Sequence, residues 1–316
     1  MRTVFFGSGS FAIPSFEALL EAGHTIAALV TQPDRTKGRG HAPAPPPLKP
    51  VAQARGIPVL QPPRLRDSAA VDTLRSLRAE LHVVVAYGQI LPRAVLDVPA
   101  RGTVNLHGSL LPAYRGAAPV QWAIVNGESL TGVTTMLLDE GLDTGPVLLA
   151  RHTPIGSEET AAELGPRLAR LGAPLVVETL REMEKGTLQP TPQDPSRATL
   201  APLIRKLDGR IDWDLPAEAI ARRVRGFDPW PGAWTILDGH TLKVRRARAS
   251  AAGPREPPGT VTGVDAGGIR VACGAATSLT LIEVQPESRR AMTAAAFAAG
   301  RRLPPGTRFE PPPDPT

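Results

Sequence analysis

The 316-residue chain has a single cysteine, Cys273, which rules out a disulfide framework and suits a reducing compartment. Histidine is also sparse. The six, His24, His41, His82, His107, His152 and His240, are scattered, and none has a second ligand at binding spacing, so no metal site is expected. No apolar run reaches membrane-spanning length, and in the opening M-R-T-V-F-F-G-S-G-S-F-A-I-P the glycines, Pro14 and Glu17 interrupt any signal-peptide core. The expectation is a soluble, cytoplasmic protein with no membrane partner. A nucleophile elbow is missing too: Ser8, in G-S-G-S-F-A, lacks the second glycine of G-x-S-x-G at the right offset, and Cys273 has no histidine nearby. A covalent acyl-enzyme is therefore not expected, and a nucleophile would come from a substrate.

What is present is positive charge and an alternating pattern. Lysine and arginine number 36 against 30 aspartates and glutamates, a formal net charge of +6 carried mostly by arginine, which favours a polyanionic partner. An arginine-, alanine- and proline-rich composition of genomic origin has the same signature, so charge alone does not decide the matter. Apolar runs at Thr3–Phe6, Ile26–Val30, Leu81–Ala86, Val104–Leu106 and Val133–Leu138 alternate with helical patterns at Pro14–Glu21, Ala69–Leu77 and Pro119–Asn126. That alternation predicts an α/β domain with a Rossmann-like parallel sheet and helices on both faces. Met136 and Trp122 fall at apolar positions and read as core. A helical stretch from Glu159 to Lys185, interrupted around Gly165 and Gly172, closes this domain, placed at residues 1–189. Residues 190–204, with Pro190, Pro192, Pro195 and Pro202 among polar neighbours, read as an extended linker. Beyond it, short β-type segments at Ala233–Leu237, Leu242–Ala247, Thr260–Val264, Gly268–Cys273 and Leu279–Gln285, punctuated by glycine and proline, suggest a small barrel over 205–310. The proline-rich tail 311–316 is expected to be disordered.

The densest chemistry lies at Asn105–Pro119, N-L-H-G-S-L-L-P-A-Y-R-G-A-A-P. Asn105 and His107 stand two apart at the end of a predicted strand and therefore share a face, where the sheet hands over to a loop and α/β sheets keep their ligands. A carboxamide donor and an imidazole aimed at one point can polarise a carbonyl and move a proton during attack on it. Asp143, in D-E-G-L-D-T-G-P just after the predicted strand Thr131–Leu138, could orient His107 and raise its basicity. Acyl transfer is the reaction class these three groups suggest.

Four segments together resemble the methionyl-tRNA formyltransferases: N-L-H-G-S-L-L-P-A-Y-R-G-A-A-P-V-Q-W-A-I, D-E-G-L-D-T-G at Asp139–Gly145, T-Q-P-D-R-T-K-G-R-G at Thr31–Gly40 and V-V-V-A-Y-G-Q-I-L-P at Val83–Pro92. The Asn, His, Asp and S-L-L-P elements belong to the wider folate-dependent formyltransferases, including enzymes with glycinamide ribonucleotide or amino-sugar acceptors. R-I-D-W at Arg210–Trp213 and F-D-P-W-P-G-A-W-T at Phe227–Thr235 are similar to the C-terminal domain of the tRNA enzymes. The resemblance implies an OB-like open barrel for that domain, with 10-formyltetrahydrofolate as donor and initiator methionyl-tRNA as acceptor. It also implies Asn105, His107 and Asp143 as the catalytic groups; a monomer is expected. By the same resemblance Ser109, Leu110, Leu111 and Pro112 would line the folate pocket, with Gly88, Gln89, Ile90 and Leu91 approaching the pterin through backbone groups. Lys37 and Arg39, in the basic proline-stiffened loop Arg35–Pro50, would reach the tRNA acceptor stem. The basic pair usual after G-R-G is replaced here by His41 and Ala42.

Two further readings concern binding. Gly7, Gly9 and Ala12 fit the G-x-G-x-x-G/A turn, and Asp34 sits about where a ribose-binding acid would be, so a nicotinamide oxidoreductase is the alternative from another class. As a lone motif it is weak, because tight strand-to-helix turns need such glycines anyway. In the second domain Arg205, Lys206, Arg210, Arg222, Arg223, Arg225, Arg245, Arg246 and Arg248 stand near Trp213, Phe227, Trp230 and Trp234. They read either as a phosphate-tracking surface, with Arg205, Lys206 and Arg245 as contacts, or as a solvated face.

Overall fold

The computed structural model describes residues 1–37, 42–253 and 255–310; Arg39, His41 and the 311–316 tail lie outside the described residues. Two compact units result, and they are not simply successive. The first comprises Met1–Pro119, Leu130–Pro154 and Leu164–Pro202, while Val120–Ser129 and Ile155–Glu163 join the second with the chain from Leu203 on. Elements in chain order begin with β1 (Arg2–Gly7), α1 (Ile13–Glu21), β2 (Thr25–Val30), the short pair β3 (Arg35–Lys37) and β4 (Ala42–Ala44), α2 (Leu48–Ala54), β5 (Val59–Leu60) and α3 (Ser68–Ser76). They continue with β6 (Leu81–Val85), α4 (Arg93–Leu96), β7 (Thr103–His107), β8 (Arg115–Gly116), α5 (Pro119–Val125), β9 (Leu130–Leu137), β10 (Val147–Pro154) and α6 (Ala161–Lys185).

The seven-stranded sheet of the first unit has the order β10-β9-β7-β6-β1-β2-β5. From β7 through β5 neighbours run parallel. These strands form because their apolar runs are long enough to be covered on both faces, as the unbroken burial of β6 and β7 records. Phe5, Phe6 and Leu81 are fully buried, each worth about 1.5–3 kcal/mol relative to exposure. The chain moves outward from β1 to β2 and β5, then returns to β6 on the other side of β1. The switch point thus lies between the carboxyl ends of β1 and β6, where Ser8 N–H donates to Ala86 O at 3.3 Å and Ser8 Oγ to Tyr87 O at 3.2 Å.

The expected Rossmann-like parallel sheet is present, with an antiparallel edge added to it: β9 runs antiparallel to both β7 and β10. Its register pairs His107 with Thr134 and Val104 with Leu137. The connection 138–146 therefore departs beside the start of β7 and must reach back along it to bring Asp143 to His107. The expected break in the long helix is also absent: α6 is continuous over 25 residues. Gly172 is there for proximity, because a Cβ would stand 2.5 Å from Leu106 Cδ2 of β7. Nor is 190–204 a bare linker, for β11 (Leu200–Ala201) pairs parallel with β8, and Thr191 bridges to Val147.

The second unit continues with α7 (Ala217–Gly226), β12 (Ala233–Leu237), β13 (His240–Ser250), β14 (Val261–Asp265), β15 (Gly268–Cys273), β16 (Thr277–Pro286), β17 (Met292–Thr293) and α8 (Ala294–Arg301). The sheet order is β12-β13-β16-β15-β14, with β17 on β16, and the long pairings are antiparallel. Asp238 and Gly239 turn β12 into β13 with φ of 50° and 72°, which is the hairpin chemistry of Asp-Gly. Arg308 and Glu310 bridge to Thr260 and Ile236, and Phe309 between them stacks on Trp213 at 5.4 Å.

Candidate active site

Asn105 and His107 project from one face of β7, and both are almost enclosed, at 8 and 6% exposure. The ring of His107 is held at both nitrogens. Nε2 lies 2.8 Å from the Tyr114 carbonyl, which can only accept, so Nε2 carries the hydrogen and, in the neutral ring, Nδ1 is the acceptor nitrogen. Nδ1 faces Asp143 Oδ2 at 3.6 Å, an ion-pair distance rather than a hydrogen bond. That oxygen also accepts from Gly116 N–H at 2.9 Å. Asn105, by contrast, has no side-chain hydrogen-bond partner among the described residues, so its two amide donors are free for a ligand.

Two loops supply the groups around this pair. Tyr114 and Asp143 sit at φ of 62° and 53°, conformations unfavourable for residues with a Cβ and kept only where the surroundings impose them. Gly116 lies at φ 121°, and a Cβ there would be 2.7 Å from the Ala201 carbonyl. At Gly145 a Cβ would collide with the Leu137 carbonyl. The G-L-D-T-G spacing thus lets the returning loop press against β9.

The residues proposed from sequence for a folate divide by environment. Gly88, at φ 81°, has only Gln32 Nε2 near the place of a side chain, at 3.8 Å. Ile90 is 84% exposed, whereas Leu91 is turned into the core. Gln89 and Ile90 edge a cleft of about 330 Å³ with Pro63, Arg64 and Arg66; none of Asn105, His107 or Asp143 lines it. Leu110, Leu111 and Pro112 are half-buried. Ser109 is fully buried, and its hydroxyl donates to Ala113 O at 2.6 Å, so it shapes the turn. Thr134, which sequence reasoning missed, braces the same turn by donating to Ser109 O at 2.7 Å and accepting from Leu111 N–H at 3.2 Å.

In the glycine-rich turn after β1, packing accounts for Gly7 but not for Gly9, where a Cβ would meet only Ala86 at 3.9 Å. A Cβ on Gly7 would lie 2.8 Å from the Phe5 ring and 3.0 Å from Leu48. Asp34 is already committed, to Lys49 at 2.8 Å and Gln61 at 2.7 Å, and the Gln61 and Lys49 hydrogen bonds hold its carboxyl below the usual range. Asp34 is thus held as a bridge between Lys49 and Gln61.

Among the cations proposed for tRNA, Lys37 closes β3, Arg205 and Lys206 are exposed, and Arg245 is paired with Asp228 at 3.0 Å. The wider arginine set is smaller as a surface than its count suggests. Arg223 lies over Phe227 at 5.1 Å and donates to Asp208 O, and Gly127 packs against Arg222. Trp213 and Phe227 are core residues, while Trp230 is 58% exposed. Among the described residues no cluster of His, Cys, Asp and Glu could hold a metal ion, and burial pushes the Cys273 thiol up to about 12.

A free carboxamide beside an imidazole–carboxylate pair, at the rim of a Rossmann-like sheet, defines a group-transfer enzyme. The chain belongs to the formyl transferase family: residues 1–180 match the formyl transferase domain and residues 203–302 the formyl transferase C-terminal domain. It is 52% identical over 303 residues to a methionyl-tRNA formyltransferase of Solibacter usitatus, covering 96% of each chain. To that of Citrifermentans bemidjiense it is 49% identical over 307 residues, covering 97% of this chain and 95% of the relative. The fold is also that of the N-formyltransferase of Helicobacter canadensis, solved with folinic acid and dTDP-3-aminofucose, with a TM-score of 0.66, 16% identity, and 90 and 99% of the two chains covered.

Proposed function

We propose that the protein transfers a formyl group from 10-formyltetrahydrofolate to the α-amino group of methionine on initiator tRNA. Support comes from relatives of that name at about half identity over nearly the full chain. The observation that carries the chemistry is the free Asn105 carboxamide beside a His107 ring fixed between the Tyr114 carbonyl and Asp143. The donor supplies an activated formyl group when bound. Gly88, Gln89, Ile90 and Leu91 at the switch point, with Ser109, Leu110, Leu111 and Pro112, hold it. The open space over Gly88 and the bare side chain of Ile90 fit a flat ring system.

In the transfer the acceptor nitrogen bonds to the formyl carbon, and the bond from that carbon to the folate nitrogen breaks. Asn105 donates to the formyl oxygen as charge develops on it. His107 takes the proton of the attacking amine at Nδ1 and delivers it to the departing nitrogen. Asp143 stabilises the charged ring between those steps, and the Tyr114 carbonyl keeps it oriented. Residues 1–189 carry this chemistry. Lys37 and Arg39, with Arg205, Lys206 and Arg245 of the 205–310 portion beyond the 190–204 segment, hold the tRNA. The enzyme works as a cytoplasmic monomer; among the described residues no helix is long and apolar enough to cross a membrane.

The deciding assay incubates the protein with 10-formyltetrahydrofolate and methionine-charged initiator tRNA, and in parallel with glycinamide ribonucleotide or an amino-sugar nucleotide. Formyl-methionine on the tRNA alone is expected. Formylation of either small acceptor, with the tRNA untouched, would overturn the reading.

A further inference from the structure

The segment 189–202 has the composition of a spacer, yet it is bonded along its length to the two loops that fix His107. Thr191 and Val147 exchange both backbone hydrogen bonds, at 2.8 Å each. Gln193 Nε2 donates to the carbonyls of Asp143 at 2.9 Å and Gly145 at 2.7 Å. Its Oε1 accepts from Arg115 Nε at 3.0 Å and Nη2 at 2.8 Å. Further along, Thr199 Oγ1 accepts from Tyr114 N–H at 2.9 Å, and its carbonyl from Arg115 N–H at 2.8 Å.

The two loops differ in what they need. Tyr114–Gly116 is tied to the end of β7 through the braced Ser109–Ala113 turn. The Asp143 loop leaves the sheet beside the start of β7 and must reach back along the strand, with Asp143 itself at φ 53°. Such a conformation persists only where neighbours over-determine it. The Asp143 side chain holds onto the Tyr114–Gly116 loop through Gly116 N–H, and its backbone carbonyl is held by Gln193. The Gln193 amide is fully used: both N–H groups and the carbonyl have partners, and Arg115, 8% exposed, is the buried strut behind it.

We propose that Gln193 is a positioning residue for the formyl transfer. Without touching substrate, it clamps the Asp143–Gly145 backbone to the Arg115 strut and so sets the Asp143 carboxylate at its distance from His107 Nδ1. The inference rests on the reading of His107 and Asp143 as the proton-handling pair.

The test is steady-state formylation of charged initiator tRNA by the full-length protein, with kcat, both KM values and the pH dependence of kcat measured for Gln193→Leu, Gln193→Glu, Asp143→Ala and Gln193→Leu combined with Asp143→Ala. Gln193→Glu keeps an acceptor for Arg115 but replaces the two donors to the loop with a charged carboxylate oxygen that the Asp143 and Gly145 carbonyls cannot bind, so it opens the clamp with Arg115 still engaged and carries the test where the leucine variant does not fold. Misplacement of a catalytic group costs on the order of 10-fold to 100-fold, so both Gln193 single variants should lose that much in kcat with KM values unchanged and the pH profile displaced. Residues acting as a unit are not additive. In the Asp143→Ala background Gln193→Leu should therefore cost less than about 2-fold. A Gln193→Glu enzyme with wild-type kcat, or an equal loss from Gln193→Leu with and without Asp143, overturns the proposal. An Asp143→Ala enzyme of undiminished kcat would instead remove the pair, and the proposal with it.

Discussion

His82 and His107 occupy adjacent strands of one sheet, and both are shut away from water, yet their surroundings differ completely. His82 sits in β6 with no exposure and no partner for either nitrogen among the described residues, its ring 5.0 Å from that of Phe6. Burial alone drives its pKa down to about 4, so it stays a neutral packing group. His107, at the end of β7, has a carbonyl on one nitrogen and a carboxylate facing the other. Burial makes an imidazole inert in the middle of the sheet. At the rim the same burial, with a carbonyl and a carboxylate placed by loops, leaves Nδ1 facing Asp143, where the proposed proton transfer needs it.

The largest test of that contrast is kinetic. Asn105→Ala, His107→Ala and Asp143→Ala should each lower kcat on the order of 10²–10³-fold, the usual cost of one group that acts on developing charge. Combined, they should lose less than the product of their single effects. His82→Leu should leave kcat unchanged. Near wild-type turnover in a His107→Ala enzyme with an unaltered melting curve would remove the distinction between rim and core.

A somewhat smaller effect should appear in the stability of His82 against acid. Its folded pKa, about 4, lies below the ordinary imidazole value of 6.5, so between those values the unfolded chain binds the proton and the folded one does not. Stability from this group is fully present above pH 6.5 and declines as pH falls toward 4, a loss of about 3 kcal/mol at most. Urea midpoints at pH 7.5 and 4.5 measure it, and the pH difference within each protein cancels any packing cost of the substitution. His82→Leu should show the smaller difference. Equal differences would mean that His82 gains a partner or water on protonation.

Much of this was legible in the sequence, because both-face burial leaves unbroken apolar runs such as Thr3–Phe6 and Leu81–Ala86, and period-two spacing places Asn105 with His107. Strand direction was not: a fully buried antiparallel strand such as β9 carries the same apolar run as a parallel one. Gly172 misled because a helix interrupted by glycine and a helix pressed on Leu106 have the same letter in the sequence. The clamp was invisible for a different reason. Gln193 and Thr199 act through side-chain to backbone hydrogen bonds, which leave no hydrophobic period, and prolines around them imitate a spacer. Charge counting likewise cannot tell a committed arginine from a free one.

The smallest effect concerns that last distinction, which repeats the contrast of His82 and His107 among the cations of the second unit. Arg205 and Lys206 are exposed, whereas Arg245 is 28% exposed and its charge is offset by Asp228 at 3.0 Å. Each phosphate contact contributes roughly 0.7–0.9 to the slope of log affinity against log salt. Arg205→Ala and Lys206→Ala should each make the slope for charged tRNA shallower by about that amount. Arg245→Ala should change it less, because the side chain must first leave its partner to neutralise a phosphate. Asp228→Asn frees Arg245 without removing it and should steepen the slope. An unchanged slope in the Arg205 and Lys206 variants would reduce this face to a solvated surface, and a full step from Arg245→Ala would mean that its ion pair opens on binding.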